Sequence, residues 1–250
     1  DAMKITPESA AKAYEELLRT ARVEIMFEGC GDPTLAKDIF AQKFAGVKRE
    51  PIELSRSLVK AQQGAVKEET ERMEVKQGKL VMGFRVEGIE DYRRMNMARI
   101  TFALFGGTAN SLLFKNVREK MSLCYYCSSG YDRSNSIMMV SSGVEAENAQ
   151  KARDEVLHQL EMLKNGEFTD RELEETKLFI RTALMATSDS LGAMDSWYLA
   201  QTVGGSEVSP DMEIELSAQV SREDVIWVAN HTHLDTVYML MPNENQKEAE

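Results

Sequence analysis

Residues Phe105 to Tyr126, FGGTANSLLFKNVREKMSLCYY, decide the reading of this chain. The stretch closes one apolar helix at Phe105, breaks at Gly106-Gly107, opens a second helix and then enters a segment of strand character. It delivers Arg118 and Tyr125, seven positions apart, into that transition. Arg118 carries a permanently charged planar fork of donors, and the phenol of Tyr125 can donate to a carbonyl oxygen as negative charge develops on it. A helix-end arginine is more often a cation complementing the helix dipole, and a strand tyrosine is more often half-buried packing. Gly106-Gly107 lacks the Lys-Ser/Thr that completes a phosphate loop, so the pair is expected to provide a tight break at which two helices change direction.

Working outward, Asp91 to Phe105 has helical spacing through Met95, Ala98, Phe102 and Phe105. The helix after the break places Leu113, Val117 and Met121 at four-residue steps, with Arg118 on an adjoining face. Strands are expected at Leu123 to Tyr131 and Ser136 to Glu145, joined as a hairpin by Asp132-Arg133-Ser134-Asn135. Upstream, Lys79 to Glu87 reads as a strand. Arg22 to Glu28 reads as another, because Val23, Ile25 and Phe27 alternate against Arg22, Glu24 and Glu28, with Met26 the one apolar exception. Thr6-Pro7 and Asp32-Pro33 are helix starts, and the polar stretch Gln62 to Glu71 reads as an irregular connection. Downstream, helices run from Ala149 to Leu163, from the capping box Thr169 to Glu172 onward, from Leu191 to Val203 and from the cap at Ser221. Leu234 to Met241 closes the pattern as a strand, followed by the charged tail Asn243 to Glu250. Strands that precede and follow runs of helices predict an α+β fold, a sheet with helices on one face.

The chain has 250 residues, enough to bury a core without disulfides, and a net charge of -11, which disfavours nucleic acid and anionic membranes. No apolar run reaches the roughly 20 residues of a spanning helix, so no membrane partner is expected. Cys30, Cys124 and Cys127 are an odd number without repeated spacing, which predicts reduced thiols and a cytoplasmic location. Cys124-Tyr125-Tyr126-Cys127 has the C-x-x-C form but lies in a strand rather than at a helix opening, and no second ligand pair accompanies it. It is therefore read as neither a redox nor a metal motif.

The succession Gly106-Gly107, Ser111-Leu112-Leu113-Phe114, Val117-Arg118-Glu119-Lys120 and Leu123-Cys124-Tyr125 resembles the signature in the second half of pitrilysin/insulinase metallopeptidases. The resemblance covers nearly the whole chain in element order and is specific in sequence only around Arg118. It implies the two-layer α+β unit of the mitochondrial-processing-peptidase-like metallohydrolase fold, here as a single domain over residues 1–250 that forms the second half of a longer two-domain protein or a separate companion subunit. In that family the arginine and the tyrosine belong to the zinc-less half and contact substrate, which makes Arg118 and Tyr125 the candidate substrate-binding residues. Ser122 departs from the pattern, where a Gly is common, and the neighbouring Tyr126 competes with Tyr125 for the inward-facing position.

Catalytic members hold zinc with H-x-x-E-H and a later Glu. Only His158, His231 and His233 occur here. His158-Gln-Leu-Glu161-Met162 lacks the second His, and His231-Thr-His233 has only Asp235 nearby. No catalytic residue, metal site or cofactor is thus expected in this chain. The resemblance implies a non-catalytic half that binds a peptide substrate beside a zinc-bearing domain or subunit. The alternative is a structural or assembly subunit of the same fold with no part in proteolysis.

Overall fold

A computed structural model describes residues 2–53 and 64–243. Packing divides the chain into two units, residues 1–56 with 190–207, and residues 57–189 with 208–250.

The larger unit is built on a five-stranded sheet of order β1-β5-β2-β4-β3. The strands are β1 (Lys67–Met73), β2 (Gly78–Val86), β3 (Cys124–Asp132), β4 (Ile137–Val144) and β5 (Thr232–Pro242). β1 runs parallel to β5, and the other neighbours are antiparallel. Alternate residues of β2 decide which face is covered. Leu80, Met82, Phe84 and Val86 are buried, whereas Lys79, Val81, Gly83 and Arg85 are not. Met138, Val140 and Val144 of β4 and Val237 of β5 extend the same apolar layer. Helices α3 (Tyr92–Phe102), α4 (Ala149–Lys164) and α8 (Arg222–Asn230) lie against this face. Helices α5 (Asp170–Thr187) and α7 (Pro210–Ala218) pack on one another. This is the two-layer α+β arrangement expected from the sequence, with helices on one face.

The caps read from sequence are formed. Thr169 and Ser221 each close a capping box, and Asn165-Gly166 ends α4 with Gly166 at φ 74°. One strand expectation needs correction, and one helix was not expected from the sequence. The stretch ending at Glu71 is not irregular throughout: Lys67–Met73 is an edge strand whose residues are all exposed, which leaves no apolar alternation to detect. Its first residues, Gln62 and Gln63, lie outside the described residues, as does the charged tail beyond Asn243. Helix α7 has Ser209 as cap and Pro210 in its first turn, yet its buried positions include Glu213 and Ser217, which disguise its inner face as a polar one.

Glu213 is 1% exposed and saturated with donors. It accepts from the Tyr92 hydroxyl at 2.5 Å, from Asn96 Nδ2 at 2.9 Å and from Arg99 Nη1 at 2.8 Å, tying α3 to α7. Burial and the bond to Glu213 both raise the Tyr92 pKa, so the phenol remains the donor.

The Gly106-Gly107 break also has a different cause from the one expected. Neither residue has positive φ. Ala103–Gly107 is a π-helical turn continuing α3, and a Cβ on Gly106 would lie 2.7 Å from the Ser129 amide nitrogen and 2.8 Å from Leu113 Cδ1. Glycine is needed there because β3 passes so close. Ser129 Oγ donates to the Phe102 carbonyl at 2.8 Å across the same contact.

The smaller unit contains α1 (Pro7–Thr20), α2 (Pro33–Phe44) and α6 (Leu191–Gly204). Arg49 donates to the carbonyls of Leu18 and Ala21, and the Glu50 and Ile52 amides bond to the Arg19 and Thr20 carbonyls, so residues 49–52 run back along the end of α1. Arg22 to Glu28 is not a strand. Among the described residues it pairs with no other segment, and Val23, Ile25, Met26 and Phe27 are all exposed. Alternation reports a segment able to pair, and the partner is what makes a strand. No residue of α1 or α2 is buried.

Two substitutions test these contacts. Glu213→Ala should cost about 1–3 kcal/mol, since it removes the buried acceptor shared by Tyr92, Asn96 and Arg99. Gly106→Ala should cost about 1–3 kcal/mol through overpacking. Urea unfolding followed by circular dichroism measures both, and a loss under 0.5 kcal/mol in either would refute the corresponding contact.

Candidate functional site

The helix that carries Arg118 is wound unusually wide. Phe114–Lys120 is a π-helical turn, in which the Met121 amide donates to the Asn116 carbonyl at 3.1 Å and the Leu123 amide to the Val117 carbonyl at 3.1 Å. Leu113 and Val117 are fully buried, as their spacing predicts. Met121 is not part of that stripe. It is 45% exposed, and Leu123 occupies the core after the wide turn. Arg118 is exposed, with its guanidinium 4.5 Å from the Phe114 ring centroid, a cation–π contact that holds the side chain over the helix surface.

Ser122 adopts φ 51°, in the left-handed region. This explains why the family pattern favours glycine there: a Cβ is strained in this conformation. The turn throws the chain into β3, the edge strand, and β3 immediately contains a bulge. Cys124 pairs with Val144 and Tyr126 with Gly143, so Tyr125 is the extra residue.

The bulge sets the two tyrosines apart. Tyr126 lies across Gly143, where a Cβ would fall 2.6 Å from Tyr126 Cε1, and it packs on the sheet face away from the helices. Tyr125 projects outward and is 76% exposed. Among the described residues neither Arg118 nor Tyr125 makes a hydrogen bond or ion pair. Arg118 lies on the π-helical turn and Tyr125 at the start of β3, and the Arg118 charge reaches Cys124, the residue before Tyr125.

Sequence reading missed the relation between Cys124 and Cys127. The two thiols lie close enough to perturb one another's titration; Cys124 is half-buried and Cys127 buried. The neighbouring Cys127 thiol, then the Ser142 hydroxyl and the charge of Arg118, lower the Cys124 pKa to about 7 against the effect of burial, and the Cys124 thiol together with burial pushes Cys127 up. Ser142 Oγ donates to the Tyr126 carbonyl at 2.8 Å. The signal available in the sequence was the C-x-x-C spacing; the bulge that gives it meaning has no sequence signature of its own.

The histidines of this chain do not fit a zinc site. His158 is exposed on α4. The His231 ring stacks on Trp227 at 3.9 Å and bonds the Trp227 carbonyl through Nδ1 at 2.8 Å, at the end of α8. Asp235, the carboxylate nearest His233 in sequence, is held by Arg85 at 2.6 Å. Among the described residues no group of three or more His, Cys, Asp or Glu could hold a metal ion. None of the helices there is long and apolar enough to cross a membrane.

A separate apolar groove of about 430 Å³ lies within the smaller unit, between the extended residues Val23, Ile25 and Phe27 and the α2 residues Phe40 and Phe44.

This architecture is shared by solved structures. A conserved protein from Enterococcus faecalis V583 superimposes with a TM-score of 0.86 at 24% identity, over 96% of this chain and 57% of that one. A peptidase M16 inactive domain from Pseudomonas fluorescens gives 0.77 at 21% identity, over 96% and 58%. In sequence the chain is 28% identical over 246 residues to a probable inactive metalloprotease, YmfF, of Bacillus subtilis strain 168, covering 98% of this chain and 57% of the relative. The chain thus spans little more than half the length of these proteins. Residues 4–178 match the model of the peptidase M16 inactive domain, and the chain belongs to that family.

Proposed function

We propose that this chain is the substrate-binding, zinc-less half of an M16 peptidase, cytoplasmic like the reduced thiols it carries, and that it works beside a zinc-bearing half or subunit. The observation that carries this reading is that Arg118, on the π-helical turn, and Tyr125, at the start of β3, are both exposed, and neither side chain is occupied by a hydrogen bond or ion pair among the described residues. Arg118 would anchor a carbonyl or carboxylate of a peptide. Tyr125 would donate its phenolic proton in a hydrogen bond to the carbonyl oxygen as that oxygen gains charge. Zinc and the general base would belong to the other half, because the imidazoles here are dispersed or engaged.

One observation favours an assembly role in addition. Tyr14, Leu17, Leu35, Ile39 and Phe40 are exposed on α1 and α2, and these helices bury nothing of their own. Such a surface suits continuation into, or docking with, the remaining half of a longer protein.

The test is peptide cleavage by the assembled protein, the chain joined or mixed with its zinc-bearing half. Arg118→Ala and Tyr125→Phe should each lower kcat/KM by about 10²–10³-fold, the range for loss of one oxyanion donor, with co-elution of the two halves unchanged. Unaltered turnover in both variants would leave only the assembly role.

A further inference from the structure

We propose that Cys124 and Cys127 are an oxidisable thiol pair, a modification site for hydroperoxides in which Cys124 reacts first and Cys127 closes a disulfide. The C-x-x-C was read as inert because it lies in a strand rather than at a helix opening, and residues three apart on a regular strand face opposite sides of the sheet. Here the bulge inserts one residue between Cys124 and Tyr126, which reverses the alternation and brings both thiols to the same side. Each opposes a residue on the buried face of β4, Cys124 facing Val144 and Cys127 facing Ser142. Their β4 partners, Val144 and Ser142, are only two residues apart. The span along β3 is therefore about 6.8 Å, at the upper end of the Cα separations that a disulfide bridges. β3 is an edge strand paired on one side only, so the remaining adjustment meets no second neighbour.

Exposure divides the roles. Cys124 is partly open to solvent beside the positive charge of Arg118, and Cys127 is 4% exposed behind it. The Cys124 thiolate attacks the peroxide, an S–O bond forms, the O–O bond breaks, and the released hydroxide or alkoxide takes up a proton. The Cys127 sulfur then attacks the sulfenic sulfur, the S–S bond forms, the S–O bond breaks, and hydroxide leaves with the Cys127 proton as water. Two thiols are oxidised and one hydroperoxide is reduced. A structural zinc is the poorer reading of the pair, since it takes about four ligands and no such group surrounds these sulfurs among the described residues. The inference does not depend on the substrate-binding role.

The experiment uses the chain with Cys30→Ser, so that these are the two remaining thiols, treated with equimolar hydrogen peroxide. The monomer should lose about 2 Da, with both thiols lost to maleimide and restored by dithiothreitol. Adding Cys127→Ser, or Cys127→Ala as a second variant if serine disturbs the core, should abolish that loss and leave a dimedone-reactive sulfenic acid on Cys124. Iodoacetamide labelling of Cys124 in the parent should rise with a midpoint near pH 7. A gain of about 16 to 48 Da at Cys124 with Cys127 still free, or no reaction at all, overturns the proposal.

Discussion

The absence of a side chain at Gly106 is the constraint on which the candidate site depends. At that point the backbone of β3 approaches the end of α3 so closely that a single added carbon would meet the Ser129 amide. The contact fixes β3 against the helical layer in mid-strand. Upstream, Leu113 and Val117 are fully buried and anchor the segment that carries Arg118. Between these two anchors the chain has few ways to travel from helix to sheet edge. It does so with a widened helical turn, a residue at positive φ and a bulge in succession. Three irregularities within a dozen residues are costly. They coincide with the placing of Arg118, Tyr125 and the two thiols.

Much of the fold was legible because its helices announce their ends and its central strands bury one side. Thr169, Ser221 and Gly166 each act as their chemistry dictates, and β2 alternates as written. The failures share a physical cause: single-sequence patterns report burial, and burial is decided by neighbours. β1 is a strand through its backbone partner and buries no side chain, so its residues read as loop. Residues 22–28 have the alternation of a strand and no partner among the described residues. α7 packs a carboxylate inward because three donors wait for it on α3, a compensation invisible from Glu213 alone.

Of the candidate site, Arg118 and Tyr125 could be named from the motif, and the structure exposes both side chains. The orientation of Tyr125 relative to Tyr126, and the pairing of Cys124 with Cys127, could not be read, because both turn on one extra residue whose presence depends on register with β4. Ser122 lies between these cases. Its departure from glycine was visible, and the strained φ explains what glycine would relieve there.

The order β1-β5-β2 carries a consequence for biosynthesis. The last-made of these five strands, Thr232–Pro242, is inserted between two made far earlier. While the ribosome is still translating the helices, β2 has one flank bare and β1 has no neighbour at all, so the nascent sheet waits with open hydrogen-bonding groups for a closing piece some 150 residues away. Long-range closure of this kind is slow and exposes intermediates to aggregation. Chaperone engagement during synthesis, and sensitivity to premature stop codons before residue 232, are what such a topology entails.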